Sequence, residues 1–316
     1  MGRGRGWRGS RTLRVLAAGA ATLLVTATAA AAGEGHGWTE GEVTTSDGVA
    51  IHYYEAGPAD GAAASPSLLF VPGWTMPAQI WEPQIDHFAA THRVVAVDPR
   101  SQGLSARPDD GHTPERRGAD LGEAIAALGL APVVPVCWSL AVAECVALVE
   151  SSGTEGIAGL VLVDGLAGGE WDPGFSPRMV AWVGNLQRDR AAGTAAFVRS
   201  MYATPQDEDY LARVTAWSLQ TPTDAMVALM VGGITNDNRD ALAGIDVPVL
   251  MTVSRSPFLP RYEEMRDRIP DVRFEVFDAG HALFIDDAAG FNAKLGEFLG
   301  RLGTAAAGGA AQEAAP

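Results

Sequence analysis

The chain has 316 residues, 47% of them apolar, enough to bury the core of one large domain or two modest ones. Its net charge of −15 argues against nucleic acid or anionic lipid as a partner. Lys294 is the only lysine, which leaves no lysine-based phosphate loop or Schiff base elsewhere in the chain.

Residues 1–32 read as a signal peptide and are set apart from the fold. Arg3, Arg5, Arg8, Arg11 and Arg14 form a basic n-region, Val15 to Thr28 an apolar stretch, and Ala29 to Ala32 an Ala-x-Ala cleavage site. The apolar stretch is short for a membrane span, and small polar residues interrupt it; the alternative is a retained N-terminal anchor. No two of these arginines are adjacent, which favours the general secretory route over the twin-arginine one. Cleavage removes five arginines and no acids, taking the net charge from −15 to −20. The expected location is secreted or periplasmic, with no membrane contact after cleavage.

The mature chain opens with a hairpin, Glu42–Thr45 and Ala50–Glu55 around an Asp-Gly turn. Strands and helices then alternate. Leu68–Val71 is a strand, Gln79–Ala90 a helix, Val94–Val97 a strand, Pro114–Leu128 a helix and Val133–Val136 a strand. Leu140–Glu150 is a helix and Leu160–Val163 a strand. This rhythm predicts an α/β fold: a mostly parallel sheet with helices on both faces. Over residues 166–240 the strand signal gives way to helical apolar spacing in Met179, Trp182, Val183, Leu186, Phe197, Met201, Trp217, Met226 and Met230. An insertion there reads as a helical cap over the strand ends, where open α/β sheets bind ligands. Most of these side chains are expected to form the cap's own core and a minority to line an apolar pocket. The strand rhythm resumes with Val249–Val253, a helix near Arg261–Arg268, Arg273–Phe277 and a last helix from Asp286 to Leu302. The core thus occupies residues 33–165 and 241–302, and the Ala/Gly-rich residues 303–316 read as a disordered tail.

Val136-Cys137-Trp138-Ser139-Leu140-Ala141 is the most informative stretch. It places Ser139 on a sharp turn from an apolar strand into an apolar helix, flanked two residues away by Cys137 and Ala141. Such a turn strains the serine backbone, so its flanks must be small; the nucleophile elbow has Gly at both, and Cys and Ala are the next smallest reasonable choices. Cys137 and Cys145 are the only cysteines, and their placement, one at the elbow and one two turns into the helix, predicts two buried free thiols rather than a disulfide.

A serine hydroxyl becomes a nucleophile only when a base takes its proton. Of six histidines, His281 alone follows a strand end, in Asp278-Ala279-Gly280-His281, and precedes a helix. His36, His52, His87, His92 and His112 lie early in the chain and are given surface or structural roles. An oxyanion needs two N–H donors. Leu140, after the nucleophile, supplies one, and Trp74 in the loop Pro72-Gly73-Trp74-Thr75 the other; the Trp74 ring either walls a pocket or is merely packed.

These pieces, with Asp98-Pro99-Arg100-Ser101-Gln102-Gly103-Leu104-Ser105, fall in order along nearly all of the mature chain. Together they resemble the α/β-hydrolase superfamily, in the branch of bacterial carboxylesterases and cofactor-free chloroperoxidase-type perhydrolases. The resemblance implies a Ser–His–acid triad without metal or cofactor, and a cap that sets substrate choice. Three departures stand out. Pro72-Gly73 replaces the usual His-Gly, the elbow glycines are replaced, and the usual acid site reads Ser254-Arg255-Ser256-Pro257 with no carboxylate. Asp164, at the end of the strand after the elbow helix, is assigned as the acid. Its competing role, capping the next loop, leaves His281 without the partner that fixes its tautomer. Asp286 and Asp287 are weaker candidates, read as caps of the last helix, and Asp98 and Arg100 are assigned to structural pairing beneath the site. Arg255 and Ser256 are either loop residues without a role or, for Arg255, a partner of an acid such as Glu263.

The expected function is a secreted serine hydrolase that cleaves a small-molecule carboxylic ester through an acyl-enzyme. The alternatives are a perhydrolase or lactonase with the same triad, or a catalytically silent ligand-binding homologue.

Overall fold

The computed structural model describes residues 36–58, 61–168 and 175–313, with side chains over 36–58, 61–168 and 177–303. The signal-peptide reading of residues 1–32 lies outside the described residues. An antiparallel hairpin opens the fold, β1 (Thr39–Thr44) against β2 (Ala50–Ala56). The α/β alternation follows: β3 (Ala64–Val71), α1 (Glu82–Phe88), β4 (His92–Val97), α2 (Pro114–Leu128), β5 (Val133–Trp138), α3 (Ala141–Ser152) and β6 (Leu160–Val163). Four helices come next, α4 (Phe175–Arg188), α5 (Arg190–Ser200), α6 (Glu208–Leu219) and α7 (Thr223–Thr235). The chain closes with β7 (Val249–Ser254), α8 (Leu259–Arg266), β8 (Val272–Phe277), α9 (Leu283–Asp286) and α10 (Ala288–Glu313). The eight strands form one sheet in the order β1-β2-β4-β3-β5-β6-β7-β8, parallel from β4 to β8.

Alternation along the central strands divides the core. Leu68, Phe70, Val134, Val136, Val161 and Val163 pack on one face with Trp81, Phe284 and Phe291. Leu69, Val71, Cys137, Leu160 and Leu162 pack on the other with Val142, Cys145 and Val146 of α3. Strands covered on both faces read as near-continuous apolar runs, and each fully buried Leu, Val or Phe contributes about 2 kcal/mol.

Local chemistry sets several boundaries. The hydroxyl of Thr113 accepts from Arg116 N at the start of α2, Pro114 fills the first turn, and Gly129 ends the helix at φ 58°. Instead of one helix over residues 79–90, a 3-10 turn, Ala78–Trp81, leads into α1, whose first turn holds Pro83. Of the residues read as a disordered tail, 303–313 continue α10, in keeping with alanine's high helix propensity, and 314–316 lie outside the described residues. The free-thiol expectation is also overturned. Cys137 and Cys145 form a disulfide with Cα atoms 6.5 Å apart, because α3 folds back beside β5 after the elbow and brings its second turn within bridging range. Among the described residues no helix is long and apolar enough to cross a membrane.

Candidate active site

Sheet register brings the site together. Beyond the strand ends the ladder continues: Ser139 N donates to Val163 O at 2.8 Å and Asp164 N to Thr252 O at 2.9 Å. Ser139, Asp164 and Ser254 therefore stand side by side at the carboxyl edge of β5, β6 and β7. Ser139 has φ 58° and Asp164 φ 41°, the left-handed region that non-glycine residues enter at a cost of about 1–3 kcal/mol. Beside the elbow this crowded edge requires glycine. A Cβ on Gly73 would stand 2.8 Å from Ser139 Cβ, and one on Gly165 2.2 Å from Ser139 O. Cys137 and Ala141 are fully buried at the flanks.

His281 enters from the loop after β8. Its Nε2 lies 2.8 Å from Ser139 Oγ, and its Nδ1 2.8 Å from Asp164 Oδ2. With Nδ1 protonated, the ring donates to Asp164 and Nε2 accepts from the Ser139 hydroxyl. Asp164 is only 3% exposed, and Ser254 donates to it from both N (2.6 Å) and Oγ (3.0 Å). The β7 end that carries no carboxylate thus supplies donors to one on β6. Tyr262, buried on α8, also faces Asp164, and burial together with that carboxylate holds its phenol well above the usual value.

Other supports fix the imidazole. Trp138 Nε1 donates to His281 O at 2.9 Å, and the two rings lie 5.1 Å apart. Asp286 accepts from Gly280 N and Ala203 N, each at 2.7 Å, tying the His281 loop to the chain after α5. Asp287 accepts from Gly290 N in the first turn of α10, so neither aspartate is the imidazole's partner. Arg255 pairs with Asp278 at 2.5 Å rather than with Glu263, and Ser256 lines the cavity described below. Asp98 and Arg100 hold separate partners: Asp98 meets His52 Nδ1 at 2.9 Å, and Arg100 Nε donates to Asp120 at 2.6 Å.

The roles of Ser254, Tyr262 and Trp138 escaped the sequence reading. Trp138 stood inside the elbow motif itself, whereas nothing in one dimension marks Ser254 or Tyr262 as neighbours of Asp164.

Ser139, His281 and Asp164 open on a cavity of about 680 Å3. Met179, Trp182, Phe197, Met201 and Met230 of the inserted segment line it, together with Trp74 and Leu140. Leu186, Met226 and Leu229 pack behind as that segment's interior. The Trp74 ring both walls the cavity and is anchored, its Nε1 donating to Met226 O at 2.8 Å. Among the described residues no protein acceptor takes the backbone N–H of Trp74 or of Leu140. Among the described residues one group could hold a metal, His36, Glu82 and Asp86, whose ligand atoms lie within 4.8 Å of one another. None of the three lines the cavity.

A hydroxyl bonded to an imidazole whose far nitrogen meets a buried carboxylate can pass a proton from serine to ring as the oxygen attacks an electrophile. Comparison with known proteins agrees with this fold. The chain is 28% identical over 263 residues to an N-formylmaleamate deformylase of Pseudomonas putida, covering 81% of this chain and 94% of that protein. It is 35% identical over 124 residues to a non-heme chloroperoxidase of Streptomyces lividans, covering 39% of this chain and 44% of that one. Among solved structures, an esterase from Exiguobacterium antarcticum superposes with a TM-score of 0.76 at 21% identity, covering 82% of this chain and 98% of that one, a likeness of fold. Residues 68–294 match the model of the alpha/beta hydrolase family, and the chain belongs to that family.

Proposed function

We propose that this protein is an exported serine hydrolase that cleaves carboxylic esters through an acyl-enzyme. One observation carries the reading: the unbroken hydrogen-bonded chain from Asp164 through His281 to Ser139 at the floor of an apolar cavity. His281 Nε2 takes the Ser139 proton as Oγ attacks the ester carbonyl. The N–H groups of Trp74 and Leu140 receive the oxyanion, and Asp164 stabilises the imidazolium. The imidazolium then protonates the leaving alcohol. Water, deprotonated by the same ring, releases the acid and restores the serine. Helices α4 to α7 act as the cap, and their Met and Trp side chains favour a small to medium apolar or aromatic ester. Export is supported by the arginine-rich, Ala-ending N-terminal segment and by the Cys137–Cys145 disulfide, a bond that persists in oxidising compartments.

Ser139→Ala or His281→Ala is expected to lower kcat by about 10⁴-fold or more on an ester panel, and the serine variant to lose labelling by a fluorophosphonate. Undiminished turnover by purified Ser139→Ala sinks the mechanism. A wild-type protein that binds esters yet neither turns over nor labels is instead a silent ligand-binding homologue. A second reading is favoured by the deformylase that matches over 94% of its own length: the same residues would attack an N-formyl carbonyl and expel nitrogen. An N-formyl imide in the substrate panel, beside lactones and a peracid-forming assay, separates these chemistries.

A further inference from the structure

Behind the site lies a sealed polar chain that the proton path does not use. Gln102 is fully buried, and its side-chain amide makes four hydrogen bonds. Nε2 donates to Gly73 O at 3.0 Å and to Met76 O at 2.7 Å; Oε1 accepts from Thr75 N at 3.2 Å and from Arg117 Nη1 at 3.1 Å. Three of these bonds bracket Trp74, whose neighbour Thr75 is held at φ 62°. Arg117, on α2 and 1% exposed, reaches onward, its Nε 3.1 Å from Glu144 Oε1. Glu144 stands in the first turn of α3, the helix that begins directly after Leu140. The crossing is tight, since a Cβ on Gly118 would come within 2.7 Å of Glu144 O and 2.8 Å of Leu148 N.

We infer that Gln102, backed by Arg117 and Glu144, is the positioning residue that sets the spacing between the Trp74 and Leu140 amide donors. The inference rests on the reading of those two amides as the oxyanion site. One end of the chain grips the Trp74 loop and the other the helix that Leu140 leads into, so the two donors are tied together from behind. Bulk stability is a poor reason for such a pair. Arg117 Nε and Nη2 and both Glu144 carboxylate oxygens make no hydrogen bond, and apolar replacements of buried ion pairs are often neutral or stabilising. Geometry is the better reason, because donors misplaced by a fraction of an ångström lose the developing charge.

The test uses the full chain with Gln102→Met, which keeps the length and removes all four bonds, and Arg117→Lys, which keeps the charge. Readouts are kcat, KM, affinity for a boronic acid that forms a tetrahedral serine adduct, and thermal midpoint. Losing proper aim of one donor costs about 10²-fold, so Gln102→Met is expected to drop kcat and boronate affinity together by about that factor, with KM within about 2-fold. Arg117→Lys is expected to show the same paired loss at about 10-fold, the worth of one hydrogen bond of ~1.4 kcal/mol. A lowered thermal midpoint with kcat and boronate affinity within about 2-fold of wild type in the folded variants overturns the inference. Arg117→Lys decides alone should Gln102→Met not fold. Ser139→Ala, run alongside, distinguishes the two failures: its inactivity beside a fully active Gln102→Met refutes the positioning role only, whereas its continued turnover refutes the serine mechanism.

Discussion

Two buried carboxylates flank the Ser139 turn, and their surroundings are opposite. Asp164 sits at a strand end where Ser254 N, Ser254 Oγ and His281 Nδ1 all converge on it. Glu144, in the first turn of α3, is met by the Arg117 guanidinium, with Asp120 also acting on it, and neither of its oxygens accepts a hydrogen bond. Burial therefore pushes Glu144 up to about 7, against the pull of Arg117. The difference shows what a buried charge needs in order to serve as a working part. Asp164 has directed donors that hold both the carboxylate and the ring it meets, so it can stabilise charge on His281. Glu144 has proximity without direction, which suits a spacer between helices better than a reacting group.

The sharpest way to break this contrast is Asp164→Asn. The side chain keeps its size but favours the wrong imidazole tautomer, and kcat is expected to fall by about 10⁴-fold on the best ester of the panel while the protein still folds. A small effect would place the working acid elsewhere. The disulfide sharpens the Glu144 side, since Cys145 is its neighbour in α3. Replacing Cys137 and Cys145 together by Ala is expected to cost about 2–3 kcal/mol in urea unfolding, the size expected for closing so short a loop. Equal stability of the two proteins under oxidising conditions would show that the bridge contributes nothing.

Ser254→Ala tests whether directed donors matter on the Asp164 side. It removes the hydroxyl donor and leaves the backbone one, so kcat should fall by about 10-fold, the worth of one bond to a charged acceptor. Ser256→Ala, which touches the cavity and not the carboxylate, should be near wild type. The smallest effect concerns pH. Because the folded Glu144 value lies above the ordinary 4.5, the native state binds more protons than the unfolded chain between the two. Its contribution to stability is complete below pH 4.5 and is lost as pH rises through about 7. Urea midpoints of wild type should therefore fall relative to Glu144→Gln across that window. Parallel pH profiles for the two proteins would contradict the assignment.

The α/β class was legible in one dimension, and Ser139, His281 and Asp164, which the structure brings within hydrogen-bond distance of one another, were singled out there. Apolar runs of strand length, a small-flanked Ser at a strand-to-helix junction and a lone His after a strand end are patterns set by local sterics. Asp164 was reached because the β7 end, Ser254 to Pro257, carries no acid, and the structure brings it against the predicted imidazole. Contacts between segments remote in sequence were a different matter. The grip of Ser254 and Tyr262 on Asp164, the closure of Cys137 with Cys145 and the buried path from Gln102 to Glu144 depend on how strand ends and helices are placed in space. Side-chain direction and through-space distance decide them, and neither is written in the spacing of residues along the chain.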